Sequence, residues 1–547
     1  MAFSWTARTV GSLFADRAKS MGERPFLHPT DGGTLSYAEL WRRGVAAAAM
    51  LQNLGVGHGD PVVIMAPNGA ASVIAALGVA LLGAVDVSIN TAYVGATFDH
   101  ALRQVNARHL IICDEYISVL ASQSEAVRAL DAVVVVVRGG AGESTDLMGV
   151  PGMALFDFDV EMAKAAACPI DLPAVSPQDI ACIIYTSGST GSAKGVMMPH
   201  AQVMLIAEQT VRHMALTADD VFYSVHPLYH MAGKFMLLLA CAEAGGQIYL
   251  DRMLKPEKWL DRIRETDATF TGAHGAMLEM IAQQPATEHD RDHRLRTICA
   301  APFPRHIARD FEARFGVRGV EVWGMTEVGI PIWTRPDEPL RPGCCGKVDR
   351  SFFEFAIVDP ETDEPVPVGE AGEFVVRNQH GWTMMQGYAG QAEATVSAWR
   401  NLWFHTGDTG YMDEDGYIYF LDRADDRIRR RAENISASDI EIAISGYSGV
   451  REAVAVGFPS EFANDDDIRL FVQMEPGQPF DPAGILQYLI GRLPYFMVPR
   501  YVEHIDELPR SVTHKIQRRQ LRERPLGPQS WDRNVNGVRL LKIKEKS

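Results

Sequence analysis

The 547-residue sequence predicts an α/β protein: a large N-terminal domain of layered α/β subdomains with a small β-rich subregion, then a C-terminal α+β domain. Three observations lead there. Short runs of buried-strand character alternate with helix-like segments through the first 340 residues or so. After Gly346 the strands shorten and are separated by Pro, Gly and Asp turns. Past a charge-dense stretch at 422–431, a compact mixture of strand and helix patterns follows. A chain of this length exceeds what one core usually holds, so the expected domains are 1–422 and 423–547.

In chain order, Val10, Leu13, Phe14 and Ala18 fall at helical spacing and mark one face of an early helix. Residues 61–66 (PVVIMA) read as a short buried strand, and the apolar run 70–85 as a buried helix too short to span a membrane. Segments 108–113 and 133–137 read as further buried strands, and 247–250 as another. Helical segments at 259–264 and 277–283 alternate with strands at 269–271 and 295–299. Strands at 352–358, 372–377 and 417–421 form the β-rich subregion, and 454–457, 469–474 and 486–492 the C-terminal α+β pattern. From Pro525 the periodicity weakens into Lys-rich sequence, a tail or a docking arm.

Composition narrows the function classes. At 47% hydrophobic and 22% charged the chain reads as globular rather than disordered. A net charge of -17 argues against a protein that coats nucleic acid. Seven scattered cysteines without CxxC spacing read as buried free thiols in a reducing compartment. No signal-peptide pattern opens the chain, so a cytoplasmic enzyme is the expectation, with a homodimer as the default assembly.

The sharpest local signal is Ile183-Ile-Tyr-Thr-Ser-Gly-Ser-Thr-Gly191, then Ser192-Ala-Lys-Gly195. An apolar strand feeds Thr186, Ser187, Gly188, Ser189, Thr190 and Gly191, with Lys194 at the rim. Glycines let backbone N–H groups turn inward, hydroxyls add donors and the lysine adds charge, the parts needed to hold a polyphosphate. Gly195 after the lysine rules out the GxxxxGK[ST] loop, and Ser187 and Ser189 lack the G-x-S-x-G elbow of a serine hydrolase.

This loop resembles the signature of the adenylate-forming enzymes, the superfamily of acyl-CoA synthetases and related ligases, and the resemblance spans about residues 10–522. It implies a carboxylic acid substrate, ATP, Mg²⁺ and coenzyme A. Trp323-Gly-Met-Thr-Glu327 is similar to the family's aromatic–Gly–x–Thr–Glu element. The resemblance implies that Trp323 lies against adenine, with Gly324 and Met325 beside it and Ala300, Ala301 and Pro302 lining the other side. It implies Thr326 at the α-phosphate and Glu327 as a Mg²⁺ ligand, a hard oxygen donor suited to that cation. Trp403-Phe-His-Thr-Gly-Asp408 implies Asp408 and Arg423 at the ribose and Asp425 as the hinge of a mobile C-terminal domain. Leu508-Pro-Arg-Ser-Val-Thr-His-Lys-Ile516 resembles the C-terminal loop whose catalytic lysine here is Lys515. Its charge would orient the acid carboxylate and the α-phosphate and offset developing charge.

Pro227-Leu-Tyr-His-Met-Ala-Gly233 resembles the acid-pocket element, with His230 at the carboxylate and Met231, Ala232, Thr271, Gly272 and Ala273 as wall positions. Lys234 either meets a second acidic group on the substrate or points away. The basic cluster Arg427, Arg429, Arg430 and Arg431 reads either as a contact for coenzyme A phosphates or as a solvated surface or hinge salt-bridge network with Asp425 and Asp426. Two positions depart from the family pattern: His514 replaces Gly before the lysine, and Ala432 replaces Gly before Glu433. Within the superfamily, 405–411 and 433–436 look closest to the carnitine/crotonobetaine-type CoA ligases. The alternatives are transfer to a carrier-protein thiol or another acceptor, and a non-catalytic nucleotide-binding member.

Overall fold

The computed structural model describes residues 8–137, 153–167, 170–186, 193–305, 307–423, 427–430, 433–462, 465–509, 516 and 518–538. The chain divides into two compact units. The first comprises Met1–Thr91, Gln104–Ile184 and Gly195–Asp422; the second comprises Ala92–Arg103, Tyr185–Lys194 and Arg423–Ser547.

Two large sheets organise the first unit. In one, Arg318–Met325, Thr297–Ala300, Phe270–Ala273, Val221–Ser224, Gln247–Leu250 and Pro25–Pro29 run parallel as neighbours. Antiparallel strands Gly329–Trp333 and Leu35–Ser36 close its sides. The other carries Val85–Ser88, Pro61–Met65, His109–Cys113, Ala132–Val136 and Leu155–Asp157 in parallel, with Ile180–Thr186 beside Val85–Ser88. Strands such as His109–Cys113, buried at every position, account for the continuous Val/Ile runs: both faces of a parallel sheet are covered. The β-rich subregion is an antiparallel sheet built on Phe353–Val358, Gly372–Asn378 and Trp403–Met412.

The apolar run 70–85 is not one helix. The helix Ala70–Leu81 stops, and Val85–Ser88 is a central strand. Gly83 takes φ +64, a left-handed turn that lets the chain reverse without a Cβ penalty. Hydropathy could not register this change, because helix and strand are both buried.

The second unit holds a four-stranded sheet, Val450–Pro459, Asp466–Met474, Tyr501–His504 and Trp531–Asp532, with helices Ala437–Ser445 and Pro482–Ile490. The segment after Pro525 is thus a docking arm through residue 538: Trp531–Asp532 pairs antiparallel with Tyr501–His504. Arg469, fully buried, pins the arm. It binds the Glu503 carboxylate at 2.7 and 2.9 Å and donates to the carbonyls of Arg524 and Pro525.

Among the described residues, no helix is long and apolar enough to cross a membrane. Cys113, Cys182, Cys241, Cys299, Cys344 and Cys345 are buried free thiols; Cys168 lies outside the described residues.

Candidate active site

Thr326 and Glu327 sit in the tight turn between the antiparallel strands Arg318–Met325 and Gly329–Trp333. The turn is close enough that a Cβ on Gly324 would lie 2.3 Å from the Gly329 carbonyl oxygen. Only glycine fits there, which explains the Gly in the Trp-Gly-x-Thr-Glu pattern. The Gln202 side chain, from helix His200–His213, donates to the carbonyls of Thr326 at 2.9 Å and Glu327 at 3.3 Å and fixes the turn from behind. Glu327 is buried, and its Oε1 accepts a hydrogen bond from the Tyr388 hydroxyl at 3.0 Å. Burial, then the Glu327 charge, raises the Tyr388 hydroxyl far above its ordinary range, so it stays a donor.

Asp408 reaches the same unit from strand Trp403–Met412. The register against Gly372–Asn378 shifts between Glu373 and Val375. Gly407 at φ +69 completes the irregularity, and bulges of this kind re-aim a side chain. Thr406 anchors the bend, donating to the Phe374 carbonyl at 2.7 Å and accepting from Asp408 N–H at 3.1 Å. The Trp323 indole N–H donates to Asp408 Oδ2 at 2.9 Å. The indole packs edge-on against Phe355 and Phe374, with centroids 6.1 and 5.3 Å away. Trp323 therefore orients Asp408, a coupling that motif matching does not reveal. Ala300 ends its strand, Ala301 is exposed and Pro302 half-buried, and the Ala301–Pro302 peptide is cis.

Glu321 escaped the sequence reading. It lies two residues before Trp323, on the same face of the strand, and is register partner to Ala300. Burial pushes its carboxyl up to about 8, against a hydrogen bond from the Phe303 backbone and the Arg305 charge. An acid raised in the folded state contributes stability that is full below its unfolded value near 4.5 and lost as pH rises through about 8. Glu321→Gln should remove that dependence, improving on the parent by roughly 3–5 kcal/mol between the two ends of the window. Urea unfolding at stepped pH reads it; parallel curves for parent and variant would refute it.

The loop 227–233, expected from the sequence to form the acid pocket, is pinned by a residue the sequence reading also missed. Buried Asn68 donates to the carbonyls of His226 at 2.9 Å and Asp251 at 3.0 Å, and accepts from Leu228 N–H at 3.0 Å. Gly233 is required because a Cβ would lie 2.4 Å from the Pro227 carbonyl. His230 is half-buried, its ring 4.7 Å from that of Tyr229. Buried His226 is lowered to about 4, by burial first and His230 second, so it stays neutral while bonded to the Gly272 backbone. Ala232–Leu239, overlapping the end of the loop, is a π-helix, a form frequently found at functional sites. Lys234 turns inward to an ion pair with Asp86.

In the second unit, Thr186 ends strand Ile180–Thr186 and Lys194 opens Lys194–Pro199. The Thr186 hydroxyl donates to the Lys194 carbonyl at 3.5 Å. Helix Gly95–Gln104 braces these flanks: the Tyr185 hydroxyl donates to the Ala101 carbonyl at 2.6 Å, and the His100 ring lies 3.0 Å from the Ala193 carbonyl oxygen. Ser187, Gly188, Ser189, Thr190, Gly191, Asp425, Arg431, Ala432, His514 and Lys515 lie outside the described residues, as does the side chain of Arg423.

Arg430 is buried rather than at a rim. Its guanidinium donates to the Val498 carbonyl at 3.1 Å and lies 3.6 Å from Asp467. Asp467 keeps a second partner, Arg500, at 2.7 Å. Arg430→Ala should therefore cost about 1–3 kcal/mol of unfolding free energy. Chemical denaturation checks this; unchanged stability with a raised KM for coenzyme A would assign the residue to the phosphates instead.

Residues 14–389 match the AMP-binding enzyme family, and the chain belongs to that superfamily of adenylate-forming acyl-CoA ligases. Among individual relatives, the crotonobetaine/carnitine–CoA ligase of Salmonella enteritidis is 30% identical over 495 residues, covering 89% of this chain and 93% of that protein. Among solved structures, ATP-bound MatB from Rhodopseudomonas palustris aligns at TM-score 0.67 and 27% identity, over 94% of this chain and 99% of that one. The o-succinylbenzoate CoA synthetase MenE from Bacillus subtilis, bound to a product analogue, shares the fold at TM-score 0.78 and 24% identity, over 95% and 99%.

Proposed function

We propose that the protein joins a carboxylic acid to coenzyme A at the expense of ATP. A carboxylate oxygen of the acid attacks the α-phosphorus, forming the acyl-adenylate and releasing pyrophosphate. The coenzyme A thiolate then attacks the acyl carbon, forming the thioester and releasing AMP. The observation that carries this reading is the pair of buried carboxylates, Glu327 and Asp408, each held by an aromatic donor within the family's characteristic elements. A mere nucleotide-binding protein has no need to fix both in this way.

In this reading Asp408 accepts from the ribose hydroxyls, the Trp323 region faces adenine, and Thr326 meets the α-phosphate. Glu327 fits a hard cation, because its carboxylate is an oxygen donor already oriented by Tyr388. Bound there, Mg²⁺ would neutralise phosphate charge. His230 faces the acid carboxylate, and Lys515 with the phosphate loop and Lys194 serves adenylation. Residues 423–547 would rotate about Asp425 between the two steps, a recognised use of a mobile domain.

The proposed acid wall is short and uncharged: Met231, Ala232, Thr271, Gly272 and Ala273. A fixed cation on the substrate would call for an aromatic cage or a carboxylate, and the wall supplies neither. The substrate class is therefore drawn wider than the betaine acids named for the Salmonella relatives, to medium-chain, aryl and polar aliphatic acids. The test is a panel of carboxylic acids with Mg-ATP, with and without coenzyme A, following AMP and thioester by mass spectrometry. Thioester that requires both acid and coenzyme A is the expected result. Adenylate without thioester would point to another acceptor, and no acid-dependent AMP at all would overturn the ligase reading.

A further inference from the structure

Burying an ammonium is costly unless every donor is met. Lys234, 8% exposed, projects from the π-helix Ala232–Leu239 toward the strand Val85–Ser88. Its Nζ pairs with the Asp86 carboxylate and donates to Ser88 Oγ at 2.8 Å, and Ser88 donates in turn to Asp86 Oδ1 at 2.7 Å. Asp86 and Ser88 alternate onto one face of their strand, which makes the arrangement possible. An ammonium has three N–H donors. Two are taken, and among the described residues none takes the third.

Lys234, Asp86 and Ser88 line a cavity of about 60 Å³ whose other walls are nearly all apolar, including Ala76, Leu77 and Leu238. One water requires roughly 10–15 Å³, so an organic group fits. Apolar walls with a few placed polar groups are the usual makeup of a ligand site. The Asp86–Lys234 pair is already neutral overall, so a charged guest would lose its hydration without meeting a net counter-charge. The cavity suits an apolar group bearing one uncharged oxygen acceptor.

Leu228 and Tyr229 also line it, and both belong to the loop that carries His230. Tyr229 links these two features: the residue lines the cavity, and its ring lies 4.7 Å from that of His230. We propose that this cavity receives the distal end of the acid's acyl tail, past Tyr229, and that the tail carries a hydroxyl, carbonyl or ether oxygen that accepts from Lys234. The proposal rests on the reading of 227–233 as the acid loop.

The test pairs medium-chain acids bearing a distal oxygen with their plain-alkyl counterparts and with acetate. Values of kcat/KM are compared in the parent, in Ala76→Leu, and in the double variant Asp86→Leu/Lys234→Met, which replaces the ion pair by apolar groups of similar volume. In Ala76→Leu the ratio for tail-bearing acids over acetate should fall about tenfold or more, because the cavity is filled. In the double variant the preference for the oxygenated acid over its alkyl counterpart should fall by about ten- to a hundredfold, the worth of a hydrogen bond to a charged group. Unchanged ratios in variants that melt like the parent would overturn the proposal; if the double variant fails to fold, Ala76→Leu decides alone. Should no acid yield adenylate, the function reading fails, and calorimetric binding of the same acids decides the cavity separately. Binding lost in Ala76→Leu then supports it; equal binding, or none to either protein, overturns it.

Discussion

Lys515→Ala should lower acid-dependent adenylation by about 10²–10³-fold, while thioester formation from supplied acyl-adenylate should fall by less than about tenfold. The asymmetry follows from where charge builds up. In the first step an anionic carboxylate must approach an anionic triphosphate, and an ammonium set between them both orients the reactants and offsets their repulsion. In the second step the acyl carbon is attacked while AMP leaves, and on the proposed reading the lysine serves only the first step. Pyrophosphate exchange reads the first half-reaction, and rapid quench with purified adenylate reads the second. Equal losses in both would sink this division of labour. His514, in the Gly position before the lysine, makes the absolute rate of the parent informative too.

Glu327→Gln should lower kcat/KM for Mg-ATP by about 10²-fold. Glutamine keeps the size of the side chain and an oxygen that can accept from the Tyr388 hydroxyl, so the turn and its packing persist. What is lost is one negative charge and the affinity of a hard cation for it. Raising Mg²⁺ should recover part of the loss, and a variant whose magnesium titration matches the parent's would refute the metal role. Tyr388→Phe is the companion change. It leaves the carboxylate charged but less well oriented, so a loss of about tenfold or more is expected, roughly one hydrogen bond to a charged group.

Much of the fold was legible in the sequence, for local reasons. Apolar runs such as 108–113 and 133–137 are what a strand covered on both faces must contain, and the strands His109–Cys113 and Ala132–Val136 match them to within a residue at each end. The antiparallel subregion showed itself through its Pro, Gly and Asp turns. The run 70–85 misled because two buried elements of different type share one hydropathy, and only the Gly83 turn separates them. The arm after Pro525 was undecided because its anchors, Arg469 and Glu503, are distant in sequence.

Within the candidate site, the sequence by itself determined which chemical groups are present: the hydroxyl- and glycine-rich loop, Thr326, Glu327, Asp408 and Lys515 at spacings tied to one class of reaction. These spacings are local, and Gly324 and Gly407 show why: each permits a backbone path that a Cβ or an ordinary φ would resist. Tertiary structure alone decided the partners. Tyr388 meets Glu327 across 61 residues, Trp323 meets Asp408 across 85, Asn68 meets Leu228 of the loop 227–233 across 160, and Lys234 meets Asp86 across 148. A hydrogen bond requires an approach of about 3 Å, and which distant residues make it depends on how strands and helices pack, not on any spacing along the chain. The inward turn of Arg430 has the same origin, since a cluster of arginines looks alike in sequence whether it faces solvent or an aspartate and a carbonyl inside its own domain.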